Sequence, residues 1–265
     1  GDPPNVMIGQ VVPELTFNDF LFNLAPPAIV TFFVVFLILA VLYRKNLQVH
    51  AQHYMKLASF DPRQYLHKGT LLYKSLTVLT LTISAFLLHP ILNVDLTVTA
   101  LAGAMLLMLI TQHEQKADDV FRSLEWATLF FFIGLFTLIG GLKDVGVIDE
   151  MARGILAVTG GDLSQTALLI LWGSGILSGF LDNIPFVAAM IPVVFEFEQY
   201  GIDNLEPIWW ALALGSCLGG NGTIIGASAN VIVAGLAVKE NISFAFVSFM
   251  KVGMLVVLLS LLIST

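Results

Sequence analysis

The chain has 265 residues, 57% hydrophobic and 12% charged, with a formal net charge of −7 and a mean hydropathy of +0.87. A soluble domain carries about 25% charged residues, so the composition points to a polytopic membrane protein whose first partner is the lipid bilayer; the net charge itself says little about nucleic acid, and no nucleic-acid partner is expected. One cysteine, Cys217, excludes an intrachain disulfide and a Cys-based metal cluster; it reads as a small buried hydrophobe.

The chain opens inside a motif, Gly1-Asp2-Pro3-Pro4-Asn5-Val6-Met7-Ile8-Gly9, with no initiator Met and no signal peptide ahead of it. It reads as a fragment that has lost its front portion. Pro3-Pro4 is expected to force an extended backbone. Leu24–Tyr43 is the first predicted span, with Pro26 and Pro27 in its first turn, where missing N–H donors cost little. The loop 44–74 carries Arg44, Lys45, Lys56, Arg63, Lys68 and Lys74 against one acid, Asp61. This charge bias marks it as cytoplasmic. Its histidines, His50, His53 and His67, lack a ligand pattern and read as part of a solvated or interfacial helix.

The second span is expected over about Leu71–His89, with Lys74 snorkelling at its cytoplasmic edge. The turn Pro90–Asp95 leads to a third span, Leu96–Thr111. Gln112–Glu125 is a charged connector, and Trp126–Leu142 a fourth span with an interfacial Trp126. Lys143–Asp162 reads as an amphipathic segment on the outer surface. Gln165–Phe195 is apolar but interrupted by Leu181-Asp182-Asn183-Ile184-Pro185. Its arms of about 15 and 10 residues fall short of the roughly 20 a crossing needs, so a re-entrant hairpin is predicted. Asp182 and Asn183 suit the N-cap of the second arm and Pro185 its first turn. The acidic loop Glu196–Glu206, without Lys or Arg, fits an outer face. Lys239-Glu240-Asn241 is placed inside, and Phe244–Ile263 crosses outward.

The stretch from Pro207 to Val238 organises the rest. Its flanks are apolar, but its middle reads Leu218-Gly219-Gly220-Asn221-Gly222-Thr223 and Gly226-Ala227-Ser228-Ala229-Asn230. Each glycine costs roughly 1 kcal/mol of helix propensity. Freed backbone groups in hydrocarbon cost several kcal/mol each unless satisfied. A helix broken in mid-membrane, facing a polar cavity, is therefore predicted; a kinked helix packed through small residues is the plainer alternative. An internal repeat accompanies it: Gly1-x-x-x-Asn5-Val6 matches Gly226-x-x-x-Asn230-Val231, followed by Thr16-Phe17 or Ser243-Phe244 and then a span. With the basic loop inside, the two copies run in opposite directions, as inverted-topology repeats require. The organisation expected is 1–43 as the end of a first repeat, 44–74 as the basic loop, and 75–265 as a second repeat with hairpin 165–195 and broken helix 207–238.

Asp182 is the most informative residue, because an ionisable group within a membrane hairpin is a functional-site hypothesis. It could bind Na⁺ or carry a proton, or simply cap the helix. Asn183, Asn221, Gly222, Thr223, Ser228 and Asn230 surround the breaks with neutral donors and acceptors suited to a small ion or oxyanion. Na⁺ at Asp182, Asn183 and Asn221 is the one metal-like site considered; no catalytic residue and no bound cofactor is expected. Asp2 and Asn5 are the first-repeat counterparts, though Asp2 faces Ala227 in the match, so the halves are chemically unequal.

Several stretches together are similar to the ion transporter superfamily: Gly1–Asn5, Glu125–Phe131, Leu181–Phe186 with Met190–Val193, and Cys217–Asn230. The likeness is greatest to its arsenite-permease/NhaD-type branch of P-protein-like permeases with a citrate transporter-like domain. The resemblance implies an all-α inverted-repeat transporter with a re-entrant hairpin and a broken helix in each repeat. It implies that Asp182-Asn183 is the second hairpin tip, Asn221–Asn230 the second helix break and Gly1–Gly9 the end of the first. It also implies a missing N-terminal half, so that these residues alone are not expected to transport. The expected activity is secondary active transport of a small anion (arsenite-, chloride- or carboxylate-like) coupled to Na⁺ or H⁺, in a plasma (inner) membrane. Na⁺/H⁺ antiport and a channel-like conductance are alternatives on the same fold, and dimers occur in the wider superfamily. An intramembrane aspartyl enzyme using Asp182 would need a second membrane carboxylate to share a proton, and only Asp2 comes near that role.

Overall fold

The computed structural model describes residues 2–45, 55, 61, 69–92, 94–113, 116–239, 242 and 245–265. The regular elements among the described residues are helical: α1 (Pro3–Val11), α2 (Phe17–Leu42), α3 (Thr70–Leu87), α4 (His89–Leu92), α5 (Leu96–Ile110), α6 (Ala117–Ser123), α7 (Trp126–Asp144), α8 (Val147–Thr159), α9 (Leu163–Ser178), α10 (Asn183–Gln199), α11 (Glu206–Gly219), α12 (Ser228–Lys239) and α13 (Phe246–Ser264). Two 3₁₀ turns, Gly220–Gly222 and Ile224–Gly226, separate α11 from α12. Among the described residues four helices, α2, α3, α7 and α13, are long and apolar enough to cross a membrane. Apolar side chains such as Phe32, Phe33 and Phe36 on α2 and Phe130, Ile133 and Leu138 on α7 are exposed, the arrangement expected where lipid is the solvent.

Contacts divide the chain into two compact units. One comprises Thr16–Asn18 and Phe36–Trp126. Within it α3 packs on α5. Lys74 Nζ donates to the carbonyl of Ile110 at 2.7 Å, a cation on the last turn of α5 that complements the helix dipole. Asp95 caps α5 at its other end, accepting from the Thr97 and Val98 amides at 2.7 and 3.2 Å. At 15 residues with Thr111 at its C-cap, α5 covers the span expected over Leu96–Thr111 and is about 22 Å long.

The other unit comprises Gly1–Leu15, Asp19–Val35 and Ala127–Thr265. Its core is built from α1, α8, α9, α10, α11 and α13, with Ile8, Ile148, Val187, Phe197, Ile208, Leu212, Val257 and Leu261 at or near zero exposure. The amphipathic segment expected at 143–162 resolves into the end of α7 and α8. Ile148, Ala152 and Thr159 of α8 are buried while Asp149, Glu150 and Arg153 lie outward or at the edge. Gly160 and Gly161 both have positive φ, 64° and 74°, which frees the chain to turn by 117° into α9.

Several boundaries differ from expectation. Pro3-Pro4 opens α1 instead of extending the chain. Only Asp2, the residue before the pair, is extended, because proline constrains its predecessor while suiting a first helical turn. Pro26 and Pro27 lie inside α2, not in its first turn. The helix starts at Phe17, with Asp19 in its first turn where the dipole favours an acid. The turn 90–95 and the connector 112–125 contain the short helices α4 and α6. The second hairpin arm is 17 residues, not about 10. Its buried face, Val187, Met190, Ile191, Val194 and Phe197, keeps helical spacing straight through the acidic Glu196 and Glu198. The last helix starts at Phe246 rather than Phe244. His50, His53, His67, Gly1, Glu240, Asn241, Ser243 and Phe244 lie outside the described residues.

Candidate functional site at two helix breaks

Two interruptions meet in this second unit. One separates α9 from α10 at 179–182, the other separates α11 from α12 at 220–227. They meet because α9 and α11 pack at glycine distance. A Cβ on Gly219 would lie 2.3 Å from the Gly175 carbonyl oxygen, and one on Gly215 would lie 2.5 Å from that of Leu171. Gly175-x-x-x-Gly179 and Gly215-x-x-x-Gly219 thus form facing small-residue stripes that let the backbones touch. Serines tie the pair: Ser178 Oγ donates to the Ser216 carbonyl at 2.7 Å, and Ser216 Oγ bonds back to Leu212 at 2.7 Å.

The breaks are bonded to each other directly. Thr223 is fully buried, and its hydroxyl donates to the Gly179 carbonyl at 2.6 Å. Asn230, in the first turn of α12, donates from Nδ2 to the carbonyls of Gly220 and Thr223 at 2.9 and 3.0 Å. One amide group therefore ties the first turn of α12 to the start and the middle of the unwound segment, the satisfaction that a broken membrane helix requires. Gly222 is buried with Gly179, Met254 and Val257 around it.

Asp182 caps α10. Its Oδ1 accepts from the Ile184 amide at 3.0 Å, and its Oδ2 accepts from Ser228 Oγ at 3.5 Å. A half-buried carboxylate thus sits between the start of α10 and the start of α12, near the N-terminal dipoles of both. Pro185 occupies the first turn of α10. Asn183 is buried and points elsewhere, donating from Nδ2 to Asp2 Oδ2 at 2.9 Å. Asn5 accepts from the Cys217 thiol at 3.6 Å. Asp2, Asn5, Asn183 and Cys217 make a second polar cluster joining α1 to α10 and α11. Cys217 is thus half-buried against polar groups, not only the apolar filler its residue type suggested. Asn221 is exposed and its amide donates to the Leu218 carbonyl at 3.1 Å, so no hydrogen bond joins it to Asp182 or Asn183. Among the described residues no group of three His, Cys, Asp or Glu side chains is placed to hold a metal.

The two ends proposed to be repeats have like local shapes. Asp2 and Ala227 are both extended, and α1 and α12 begin at the next residue. The glycine stripes, Ser178, Ser216 and Cys217 went unremarked in the sequence as site-forming residues. The four-residue glycine spacing is the signal that marks the first two positions of contact.

The Citrate transporter (CitMHS) family model matches residues 1–215, from α1 into the last turns of α11. The chain belongs to the citrate transporter family. Two uncharacterized transporters of Mycobacterium tuberculosis are similar to it. One is 37% identical over 263 residues, 98% of this chain and 60% of the relative; the other is 38% identical over 266 residues, 100% and 61%. The P protein of Mus musculus is 39% identical over 201 residues, 72% of this chain and 24% of that protein. No solved structure matches significantly. The chain therefore spans about 60% of the length of the bacterial relatives. Membership of this transporter family, with four helices able to span a bilayer, makes it an integral multi-pass membrane protein.

Proposed function

We propose that the protein is part of a secondary active transporter for a small anion, with Asp182 holding the coupling Na⁺ or H⁺. The observation that carries this is the union of two broken helices around one carboxylate: Thr223 bonded to Gly179, and Ser228 bonded to Asp182. Discontinuous helices joined in this way supply dipole ends for an anion and oxygens for a cation. Asp182 Oδ2 has only a long bond to Ser228 at 3.5 Å, which leaves room for a cation to compete for it. The anion side is formed by the starts of α10 and α12, with Gly222 and Asn230 beside the second break, while Asn183 reaches back to Asp2. Asp2 and Asn5 contribute from α1.

Citrate, the anion in the family's name, is the first substrate to test, ahead of arsenite and chloride. An aspartyl enzyme is disfavoured because Asp2 and Asp182 engage separate partners, Asn183 and Ser228, instead of sharing a proton. The lipid bilayer and, in a dimer, a second copy complete the surroundings. The test is uptake into proteoliposomes containing the full-length protein, with Na⁺ and pH gradients imposed separately. Gradient-driven accumulation of citrate is expected. Exchange of Na⁺ for H⁺ without anion uptake would reassign the site to antiport, and downhill flux indifferent to both gradients would reassign it to a channel.

A further inference from the structure

We propose that Gly253, in the middle of α13, is a positioning residue that sets the backbone of the Asn221–Gly222 break and thereby the affinity for the coupling cation. The inference rests on the transporter reading above. Gly253 is buried and lies against the unwound segment at backbone distance. A Cβ placed on it would fall 2.5 Å from the Asn221 carbonyl oxygen, 2.6 Å from that of Gly222 and 3.0 Å from the Gly222 carbonyl carbon. These are main-chain atoms, so no flexible side chain can swing away; either α13 or the break must move. The same helix touches the break one residue on, where a Cβ on Gly222 would meet the Met254 sulfur at 3.0 Å.

The consequence reaches the carboxylate through a short path. Thr223 follows Gly222 and holds Gly179 by its hydroxyl. Asn230 grips Gly220 and Thr223 from the same helical turn that begins with Ser228, the hydroxyl on Asp182 Oδ2. Displacing the Asn221–Gly222 peptides therefore displaces the Ser228 hydroxyl that reaches Asp182. α13 is no part of the two breaks themselves, and alanine in a helix interior is ordinarily favourable over glycine. A loss on Gly253→Ala is thus opposite in sign to the propensity effect.

The experiment uses the full-length transporter in proteoliposomes. Initial uptake is measured against Na⁺ and against H⁺ concentration for the wild type, Gly253→Ala, Met254→Ala and Gly235→Ala. Gly235, in α12, has open space where a Cβ would go and serves as the control. The half-saturating cation concentration is expected to rise by up to about a hundredfold in Gly253→Ala, the scale of a misplacement near 1 Å, and to stay unchanged in Gly235→Ala. Met254→Ala, which frees the break from the other contact, is expected to shift it in the same direction and carries the test if Gly253→Ala does not accumulate. A wild-type cation dependence in the variants, or a lower maximal rate at unchanged half-saturation, overturns the positioning role. A wild type without gradient-driven uptake overturns the transporter reading and this proposal with it.

Discussion

The hydroxyl of Thr223 donates to the carbonyl of Gly179 at 2.6 Å, joining two interruptions that lie 44 residues apart in the chain. Both partners are consequences of local failure to form helix. Gly179 follows the end of α9, where a carbonyl is left over, and Thr223 sits extended between two 3₁₀ turns. Removing the hydroxyl alone, by Thr223→Val, leaves a buried carbonyl to find another donor, at about 1–3 kcal/mol. Thermal unfolding in detergent is expected at a lower temperature than the wild type and uptake is expected to fall. Thr223→Ser, which keeps the donor, should retain most of both. Equal stability of the valine variant would mean the two breaks are held by packing alone.

The glycine stripes make a sharper stability test. Gly219→Ala drives a Cβ to 2.3 Å from the Gly175 oxygen, whereas Gly134→Ala in α7 meets nothing within 4 Å. Overpacking of this kind costs about 1–3 kcal/mol or more. Gly219→Ala is therefore expected to lower the yield of folded protein and its unfolding temperature, while Gly134→Ala gains slightly from helix propensity. Similar melting curves for the two variants would show that α9 and α11 can separate without cost.

These relationships were unequally legible in the sequence. Asp182 followed by Asn-Ile-Pro, and Gly-Gly-Asn-Gly inside an apolar stretch, are local statements of backbone chemistry, and the structure places a cap and a break there. The spacing Gly175-x-x-x-Gly179 opposite Gly215-x-x-x-Gly219 is also local, although which stripe faces which is not. The bond from Asn183 to Asp2 spans 181 positions, and no pattern along the chain announces it. Asn221 reads as a ligand because asparagine in a break can supply an oxygen; that its amide nitrogen bonds the Leu218 carbonyl is seen only in the structure. Gly253 was invisible for a different reason: a single glycine in an apolar helix gains meaning only from the backbone opposite it. The ends of α2 and α10 differ from the expected bounds because polar or acidic residues at helix termini look like loop in composition while still fitting helical geometry.

Outside the spans, Asp149 gathers two partners, accepting from the Tyr200 hydroxyl and from Arg153. This ties α8 to the residue that follows α10. The bond to Asp149 pushes the Tyr200 hydroxyl above its ordinary value of 10.0, with burial adding to the effect. A group raised on folding contributes its stabilisation below its unfolded pKa and loses it as pH rises through the folded one. The clasp is thus expected to be intact across neutral pH and to open only in strong alkali. A phenolate absorbance titration should show a component ionising above the ordinary tyrosine range, and Tyr200→Phe should abolish that late component. If the late component persists in Tyr200→Phe, it belongs to another tyrosine.

Asp182→Asn separates the two duties of one side chain. Asparagine is as good an N-cap as aspartate, so the amide oxygen can still accept from Ile184, a bond of 3.0 Å in the wild type, and α10 should start where it does now. What disappears is the negative charge facing Ser228. The variant is therefore expected to fold and insert with a near-native melting temperature while losing its dependence on the coupling ion. In proteoliposomes, citrate uptake should no longer respond to a Na⁺ or pH gradient and should fall by about ten- to a hundredfold, the scale on which ion sites respond to loss of a polar partner. Asp182→Ala, which removes cap and charge together, should lower the melting temperature as well. If Asp182→Asn keeps the wild-type response to both gradients, Asp182 is a helix cap and nothing more, and the cation must be sought at Asp2, the carboxylate bonded to Asn183.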